Sequence, residues 1–303
     1  MNILTRLLSK TYSNHDRVDY ESILPKFDYS SGITKQINQI FISPKGNDSS
    51  IPEELWSKIE SLKDNNPGWG YKIYQNKDIE DFIKTHYNEK IWAYFNRIDD
   101  QYLAAKADLF RYLLLYKEGG VYLDLKIQST IPLDKCLYPN DSFILIRWDN
   151  ISWNKFEKYG MDHLELKHIP RGEFVMGIII ASPGHPFLRS VILRVLENID
   201  NYNPYTVGAG FYGALRVTGP IPYSLAIYED VCNEKYKGLY RDSEFGQDFG
   251  FSYIPSGVKK ILKTDYRKGW KPLIKQNCWT KQQINIIYHK IISLYRRHRF
   301  GIK

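Results

Sequence analysis

The first hundred residues alternate between short apolar runs and longer stretches in which apolar positions recur every three or four residues. KQINQIFIS (residues 35–43) and YKIY (residues 71–74) have the compact apolar content of strands. Between them, Pro52 and two glutamates begin a stretch with helical spacing, and DIEDFIKTHY begins another. The order strand, helix, strand, helix predicts an α/β fold with a mainly parallel central sheet flanked by helices.

The middle of the chain predicts one long helix followed by a strand. QYLAAKADLFRYLLLYKE (residues 101–118) has the apolar content of a helix, and Gly119 is well placed to cap its end. After Gly120 the polarity alternates, so one face of the predicted strand carries Tyr122, Asp124 and Lys126 and the other carries only apolar residues. Ligand sites in open α/β sheets lie beyond the carboxyl ends of the strands. Asp124 and Lys126 are therefore expected at a binding site.

The second half predicts the same kind of elements without a dividing linker. FVMGIIIASPGHPFL reads as a strand, a turn and the beginning of a helix over about residues 186–199. A further helix starts at the Gly-Pro boundary of VTGPIPYSLAIYEDVC, and GFSYIP reads as a short late strand. We expect a single domain over residues 1–303, with a basic amphipathic helix in residues 281–303.

Composition narrows the class of protein. A hydrophobic share of 43% describes a folded globular chain, and no run reaches the roughly 18 apolar residues of a spanning helix. The three cysteines are far apart, odd in number and without metal-ligand spacing, which indicates a reducing compartment and no zinc site. These features predict a cytoplasmic protein.

The net charge of +8 predicts an anionic partner such as a phosphorylated small molecule, an acidic lipid surface or nucleic acid. Much of this charge lies in the last residues, YHKIISLYRRHRFGIK. A helix over residues 284–299 would either pack on the body, with its cations at the favourable C-terminal end, or rest peripherally on the inner face of an anionic membrane. Both interpretations stay open, and no nucleic-acid-binding motif is visible.

Candidate chemistry concentrates around the predicted long helix and its strand. Asp108 and Arg111 are three residues apart and so share a helix face. A carboxylate beside a glycine turn, as at Asp124, suits a divalent cation that also holds a diphosphate, and a carboxylate with a guanidinium suits sugar hydroxyls. The competing interpretations are a surface ion pair worth about 0.2–0.5 kcal/mol and a solvated strand end.

These residues also carry a family resemblance. AAKADLFRYLLLYKEGGVYLDLK resembles the central motif of the family 32 glycosyltransferases, the Och1-like and capsular-polysaccharide enzymes with a DXD-containing sugar-binding region. The familiar form is an A-x-x-S-D-x-x-R-Y helix followed by G-G-x-Y-x-D-x-D, and a related pattern occurs in glucosylating clostridial toxins. KQINQIFIS, NNPGWGYKIY, IIIASPGHPFL and VTGP are similar to other family segments, so the likeness runs over about residues 34–280.

The resemblance implies a GT-A type fold that binds a nucleotide-diphosphate sugar and transfers the sugar with retention of configuration. By position, Asp108 and Arg111 would bind hydroxyls of the donor sugar and ribose, and Asp124 would touch the donor and the metal. Asn277 matches a position that supplies a metal ligand. The remaining positions matched to the donor site are Gly119, Gly120, Tyr122 and Trp279.

Two departures from the family pattern change the expected chemistry. Asn38 stands where the family has histidine, and Lys126 stands where the second aspartate of the DXD motif, usually a direct metal ligand, belongs. Either Lys126 itself neutralises the diphosphate and metal is weakly needed, or Lys126 turns outward and Asp124 with a late-loop group still holds Mn²⁺ or Mg²⁺. We expect an active enzyme that uses a divalent cation, with Asp124 and Lys126 as its catalytic residues.

The function that the resemblance implies is transfer of a hexose from a UDP- or GDP-sugar to a hydroxyl of a surface polysaccharide, lipo-oligosaccharide or glycolipid. Two alternatives remain. One is a protein that binds a sugar nucleotide without catalysis, with Lys126 as its mark. The other is a basic nucleic-acid-binding protein, suggested by a pI near 9.1 and by the many tyrosines.

Overall fold

The computed structural model describes residues 18–44, 51–148, 163–253 and 271–275. The helices are α1 (Tyr20–Ile23), α2 (Glu53–Asp64), α3 (Asn76–His86), α4 (Glu89–Arg97), α5 (Leu103–Glu118), α6 (Pro186–Asp200), α7 (Gly210–Val217) and α8 (Pro220–Val231), with 3₁₀ turns at Leu133–Lys135, Leu164–Leu166 and Glu234–Tyr236. The strands are β1 (Gln36–Ile40), β2 (Gly70–Tyr74), β3 (Gly120–Leu123), β4 (Ile127–Ser129), β5 (Phe143–Arg147), β6 (Ile178–Ala181), β7 (Arg241–Glu244) and β8 (Phe251–Tyr253).

One six-stranded sheet organises the described residues, in the order β2-β1-β3-β6-β5-β7. β1 is parallel to both β2 and β3, and β5 is parallel to β7, whereas β6 runs antiparallel to its neighbours β3 and β5. β4 and β8 pair antiparallel in a separate two-stranded sheet. The predicted α/β fold with a mainly parallel sheet flanked by helices is confirmed.

The long helix α5 lies inside the protein rather than on its surface. Every residue from Asp108 to Tyr116 is buried, and α5 packs against α3, α6 and α7. A helix enclosed on all sides is expected to be apolar around its whole circumference, which explains why LFRYLLLY carries no polar stripe. Asp108 and Arg111 are the charged exceptions within this buried stretch, so their surroundings require an explanation.

The Gly-Gly turn joins α5 to β3 in a backbone conformation that residues with a side chain rarely adopt. Gly119 has φ +66° and Gly120 has φ +98°. A Cβ atom on Gly120 would lie 2.6 Å from the backbone oxygen of Gln36 in β1. The two glycines therefore allow β3 to turn out of the helix and approach β1 closely.

The predicted strand over residues 121–127 is shorter than the alternation suggested. β3 ends at Leu123, and β4 begins at Ile127 in the other sheet. Between them the chain turns, with the Ile127 amide donating to the Asp124 carbonyl at 2.8 Å. Asp124 and Lys126 therefore lie in the turn beyond the strand, not on a strand face as predicted. Alternation of polarity cannot mark this turn, because Leu125 continues the apolar pattern although it lies beside a cavity.

His185 is a buried histidine that begins helix α6. Its Nδ1 accepts the Phe187 amide at 3.2 Å, and its Nε2 lies 3.1 Å from the Leu239 carbonyl, so the neutral imidazole satisfies both contacts. Burial lowers the pKa of His185 from its usual 6.5 to about 4. The folded chain therefore holds this ring neutral at pH values where an unfolded chain protonates it.

Acidification should destabilise the protein through His185. The unfolded ring takes up a proton below pH 6.5 and the folded ring only near pH 4, so the stability is full above 6.5 and is lost as the pH falls towards 4. Between about pH 7.5 and about pH 5 this group should cost about 2 kcal/mol of unfolding free energy. Urea denaturation of the wild type and of His185→Asn at both pH values measures it. The same pH dependence in both proteins would contradict the expectation.

One sequence prediction concerns the C-terminal end of the chain. The basic helix predicted in residues 281–303, including its stripe over 284–299, lies outside the described residues, so its packing stays a prediction. Within the ranges that are described, none of the helices combines the length and apolarity required to cross a bilayer.

Candidate functional site

A cavity opens where the ends of three parallel strands meet. The carboxyl ends of β1, β3 and β5 lie at the same edge of the sheet as the beginning of β6, because β6 alone runs the other way. The cavity there has a volume of about 350 Å³. Its polar lining consists of Asp108, Arg111, Tyr122, Asp124, Lys126 and Glu173. This is the position expected of a ligand site in an α/β sheet.

Arg111 holds the site together from the buried face of α5. Its Nη2 donates to Oδ1 of Asp108 at 2.8 Å, and its Nη1 donates to Oδ1 of Asp124 at 3.2 Å and to the Met176 carbonyl at 3.1 Å. The guanidinium also lies over the ring of Tyr122, 4.5 Å from its centroid. A planar group with fixed donors suits such a multiple contact, which lysine could not make.

Asp108 is buried and has a partner on each carboxylate oxygen. Besides Arg111, the hydroxyl of Thr218 donates to Oδ2 of Asp108 at 3.0 Å. Thr218 is in turn fixed by Tyr112, whose hydroxyl donates to the Thr218 carbonyl at 3.0 Å. Burial raises the pKa of Asp108 to about 6, although Arg111 and the Thr218 hydroxyl act in the opposite direction. The carboxyl is thus ionised at neutral pH and held by two donors.

Asp124 lies at the centre of the cluster, just beyond β3. Its Oδ1 accepts from the Tyr122 hydroxyl at 2.7 Å as well as from Arg111, and its Oδ2 lies 3.4 Å from Nζ of Lys126. Its backbone amide donates to the Gly177 carbonyl at 2.8 Å, which fixes the turn to β6. Burial alone would raise the pKa of Asp124, but Arg111 and Lys126 outweigh it and hold the pKa below its usual value.

The opposite wall contains a carboxylate that the sequence did not single out. Oε1 of Glu173 accepts from the indole nitrogen of Trp148 at 3.0 Å, and Oε2 lies 3.1 Å from Nε2 of His163. Both Glu173 and Trp148 line the cavity. Glu173 precedes β6 in a stretch with no motif, so its place became apparent only when β5 and β6 were paired. Thr218 could have been found from the sequence, because it lies in the VTGP segment, which is similar to a family segment.

A second cavity adjoins the first. It has a volume of about 360 Å³ and shares Ile42 and Leu103 with the first cavity. Its lining combines the aromatic side chains Trp92 and Phe95 with the polar residues Asn76, Glu80, Asn96, Asp100 and Lys106. Lys106 forms an ion pair with Asp100. The two cavities are thus neighbours, called here the groove, and both combine charged with aromatic side chains.

The remaining predicted site residues have different placements. Gly119 and Gly120 lie at the opposite end of β3 from Asp124 and do not line the cavity; they shape the turn from α5 instead. Asn38, which replaces the family histidine, is fully buried in β1, and its amide atoms have no hydrogen-bond partner within the described ranges. Asn277 and Trp279 fall outside those ranges.

The described residues do not fit a divalent cation. Oδ1 of Asp124 accepts from Arg111 and Tyr122, whereas the neighbour of Oδ2 is Nζ of Lys126, 3.4 Å away. A cation bound at the usual distance of about 2.0–2.6 Å from that oxygen would press against the ammonium. Across the four described ranges, no group of three or more His, Cys, Asp or Glu side chains is placed to hold a metal ion. Asp124, the predicted metal ligand, already contacts three side chains, those of Arg111, Tyr122 and Lys126.

Comparisons with known proteins agree with the motif. Residues 52–143 match the family model described as "Glycosyltransferase sugar-binding region containing DXD motif". The chain is 29% identical over 200 residues to inositol phosphoceramide mannosyltransferase 3 of Schizosaccharomyces pombe, covering 65% of this chain and 45% of the relative. It is 25% identical over 250 residues to the initiation-specific alpha-1,6-mannosyltransferase of Saccharomyces cerevisiae, covering 63% and 52%. The chain thus spans about half the length of these two relatives.

Two toxin domains are among the solved structures that this chain matches. The UDP-bound glycosyltransferase domain of the YGT toxin has a TM-score of 0.46 and 10% identity, covering 71% of this chain and 80% of that domain. The PaToxG glycosyltransferase has a TM-score of 0.45 and 16% identity, covering 70% and 73%. The family-model match and the mannosyltransferase relatives agree with the resemblance that the motif predicted: residues 52–143 are similar to the sugar-binding region of DXD-containing glycosyltransferases, and the chain is similar over 65% and 63% of its length to two mannosyltransferases.

Proposed function

We propose that the protein is a retaining glycosyltransferase that takes a hexose from a UDP- or GDP-sugar. The observation that carries the proposal is the position of Arg111, which holds Asp108 and Asp124 side by side at the mouth of a cavity beyond β3. A buried guanidinium between two carboxylates is costly to enclose unless its geometry is excellent. Such a cluster is typical of a site in which donors and acceptors must be fixed before the ligand arrives.

The groove has room for the parts of a sugar nucleotide. In the proposed arrangement the diphosphate lies near Lys126 and Asp124, and the sugar hydroxyls meet Asp108 and Arg111. In the described part of the chain, one Nη2 N–H of Arg111 has no acceptor, so it can donate to a hydroxyl. The nucleoside would extend into the second cavity, where Leu103 and aromatic side chains offer an apolar surface.

The reaction requires one bond to form and one to break at the anomeric carbon. The acceptor hydroxyl oxygen forms the new bond, and the old bond breaks with its electron pair left on the nucleoside diphosphate. The acceptor proton passes to that diphosphate, so no side chain has to become covalently attached. Fixed positive charge near the departing diphosphate lowers the barrier, and Arg111 and Asp108 orient the sugar.

Ligand-induced stabilisation tests the proposal. Purified full-length protein is melted with UDP, GDP and CDP and their common sugars, each with and without Mn²⁺, and with UMP and GMP as controls that lack the second phosphate. We expect one nucleoside diphosphate to raise the melting temperature by a few degrees at about 100 times its Kd, and its monophosphate to have a smaller effect. Absence of any shift with every diphosphate and sugar nucleotide would contradict the proposal.

The acceptor belongs to the same proposal. We infer a hydroxyl of a surface polysaccharide, lipo-oligosaccharide or glycolipid as the acceptor, because the relatives named above are mannosyltransferases, one of them acting on inositol phosphoceramide by its name. A protein that only binds a sugar nucleotide would show the same thermal shift. Release of nucleoside diphosphate from the sugar nucleotide, with a glycan or with water as acceptor, distinguishes the enzyme from that alternative.

A further inference from the structure

The side chain at position 126 has the opposite charge from the one that the motif calls for. The matching family region is described as containing a DXD motif, and this chain reads Asp124-Leu125-Lys126 at the position that resembles it. Two aspartates would carry two negative charges, which a divalent cation neutralises. Asp124 and Lys126 already neutralise each other. The net charge that the site presents to a ligand is therefore zero in both proteins. The DXD motif reaches it with a divalent cation, and this chain reaches it without one.

The geometry keeps the ammonium at the place where the charge is needed. Lys126 lies in the tight turn closed by the Ile127 amide, which donates to the Asp124 carbonyl at 2.8 Å. Its Nζ lies 3.4 Å from Oδ2 of Asp124, and its side chain is about half exposed at 52%. Lys126 lines the same cavity as Arg111. An ammonium has three donors, so it can keep Asp124 and still donate to a ligand.

Asp124 is arranged to hold an ammonium rather than a metal. Its Oδ1 already accepts from the Tyr122 hydroxyl and from Arg111, at 2.7 and 3.2 Å. A metal at Oδ2 would have to displace Lys126, and a carboxylate with two cationic neighbours is a poor ligand for a third cation.

We propose that Lys126 replaces the divalent cation in this protein, so that it binds a nucleoside diphosphate without metal. Asp124 positions the ammonium, and the ammonium donates to the phosphate oxygens and neutralises the charge that develops on the departing diphosphate. The inference rests on the proposed function, since it concerns the same ligand and the same site. It favours the account in which metal is dispensable over the use of a divalent cation that the sequence led us to expect.

Calorimetry of UDP and GDP binding tests this inference. Full-length protein is dialysed against EDTA, and the Kd of each nucleotide is measured in EDTA and in 1 mM Mn²⁺. For the wild type we expect the better ligand to bind with Kd values within about twofold of each other in the two buffers. Lys126→Ala should weaken binding in EDTA roughly tenfold to a hundredfold, the value of a lost charge-assisted hydrogen bond. Lys126→Asp should bind only when Mn²⁺ is present.

Lys63→Ala provides the matched control. The side chain of Lys63 is 45% exposed, comparable to that of Lys126, and it pairs with Glu60 on α2, away from both cavities. The Kd of the nucleotide for this variant should therefore equal its Kd for the wild type. Wild-type binding that requires Mn²⁺ would overturn the inference and leave the proposed function standing, as would an unchanged Kd for Lys126→Ala in EDTA. Failure of every nucleoside diphosphate to bind the wild type in either buffer would overturn the proposed function itself.

Discussion

Replacing Asp124 by asparagine should reduce the rate of sugar transfer by about a hundredfold to a thousandfold, while the protein still folds. The amide oxygen can still accept from Tyr122 and Arg111, which hold Oδ1 at 2.7 and 3.2 Å. The negative charge that holds Lys126 at 3.4 Å is lost, however. Removing one preorganised electrostatic group from an active site typically costs a rate factor of about 10²–10³. Release of nucleoside diphosphate under saturating donor measures the rate.

Asp134→Asn is the appropriate control for this experiment. Asp134 is an exposed aspartate that pairs with Lys35 and accepts from the Trp69 indole, and it lines neither cavity. The same change of charge there should leave the rate unchanged. Circular dichroism and thermal melting of both variants establish that they are folded. Turnover by Asp124→Asn within twofold of the wild type would contradict the role assigned to Asp124.

Replacing Arg111 by methionine should lower the free energy of unfolding by about 3–5 kcal/mol, the usual cost of removing one partner from a buried ionic cluster. The guanidinium is 7% exposed and contacts Asp108 and Asp124, so its removal leaves the buried Asp108 without its cation, while Asp124 keeps Lys126. Burial alone would lower the pKa of Arg111, but Tyr122, Asp124 and Asp108 raise it above the usual value. The measurement is urea denaturation at neutral pH.

Two further variants give this result its meaning. Arg194→Met removes a guanidinium from a surface pair with Glu229, which is 65% exposed, and should cost no more than about 1 kcal/mol. Arg111→Met combined with Asp108→Asn also removes the buried charge that the loss of Arg111 leaves without its cation, and should recover part of the lost stability. Equal costs for Arg111→Met and Arg194→Met would show that the cluster contributes nothing special to the fold.

The fold class could be predicted because each of its signals is local. The strand and helix patterns on either side of the NNPGWG turn gave β1, α2, β2 and α3 in the right order, within a few residues of their observed bounds. Elements with weaker patterns were missed. β7 has the polar sequence RDSE and lies at the edge of the sheet, where one side meets no strand from the described residues. Hydrophobic periodicity has nothing to detect in such a strand.

The site was predicted in part for a similar reason. Asp108 and Arg111 share a helix turn, and Asp124 follows a motif, so local spacing and resemblance identified all three. Other contacts join distant parts of the chain. Thr218 meets Asp108 across 110 residues, and Glu173 faces the cavity only because β5 and β6 pair. Gly119 and Gly120 show the converse, since their motif pointed to the donor site and the structure assigns them to a turn.

The sequence by itself predicted an α/β protein similar to sugar transferases, and it marked position 126 as the departure from the motif, because residue type and spacing can be read directly along the chain. Only the tertiary structure decided what surrounds these residues. It placed Arg111 between two carboxylates and Lys126 against Oδ2 of Asp124. The physical reason is that charge and hydrogen-bond pairing depend on distances of about 3 Å between atoms, and only the packing of distant elements sets those distances.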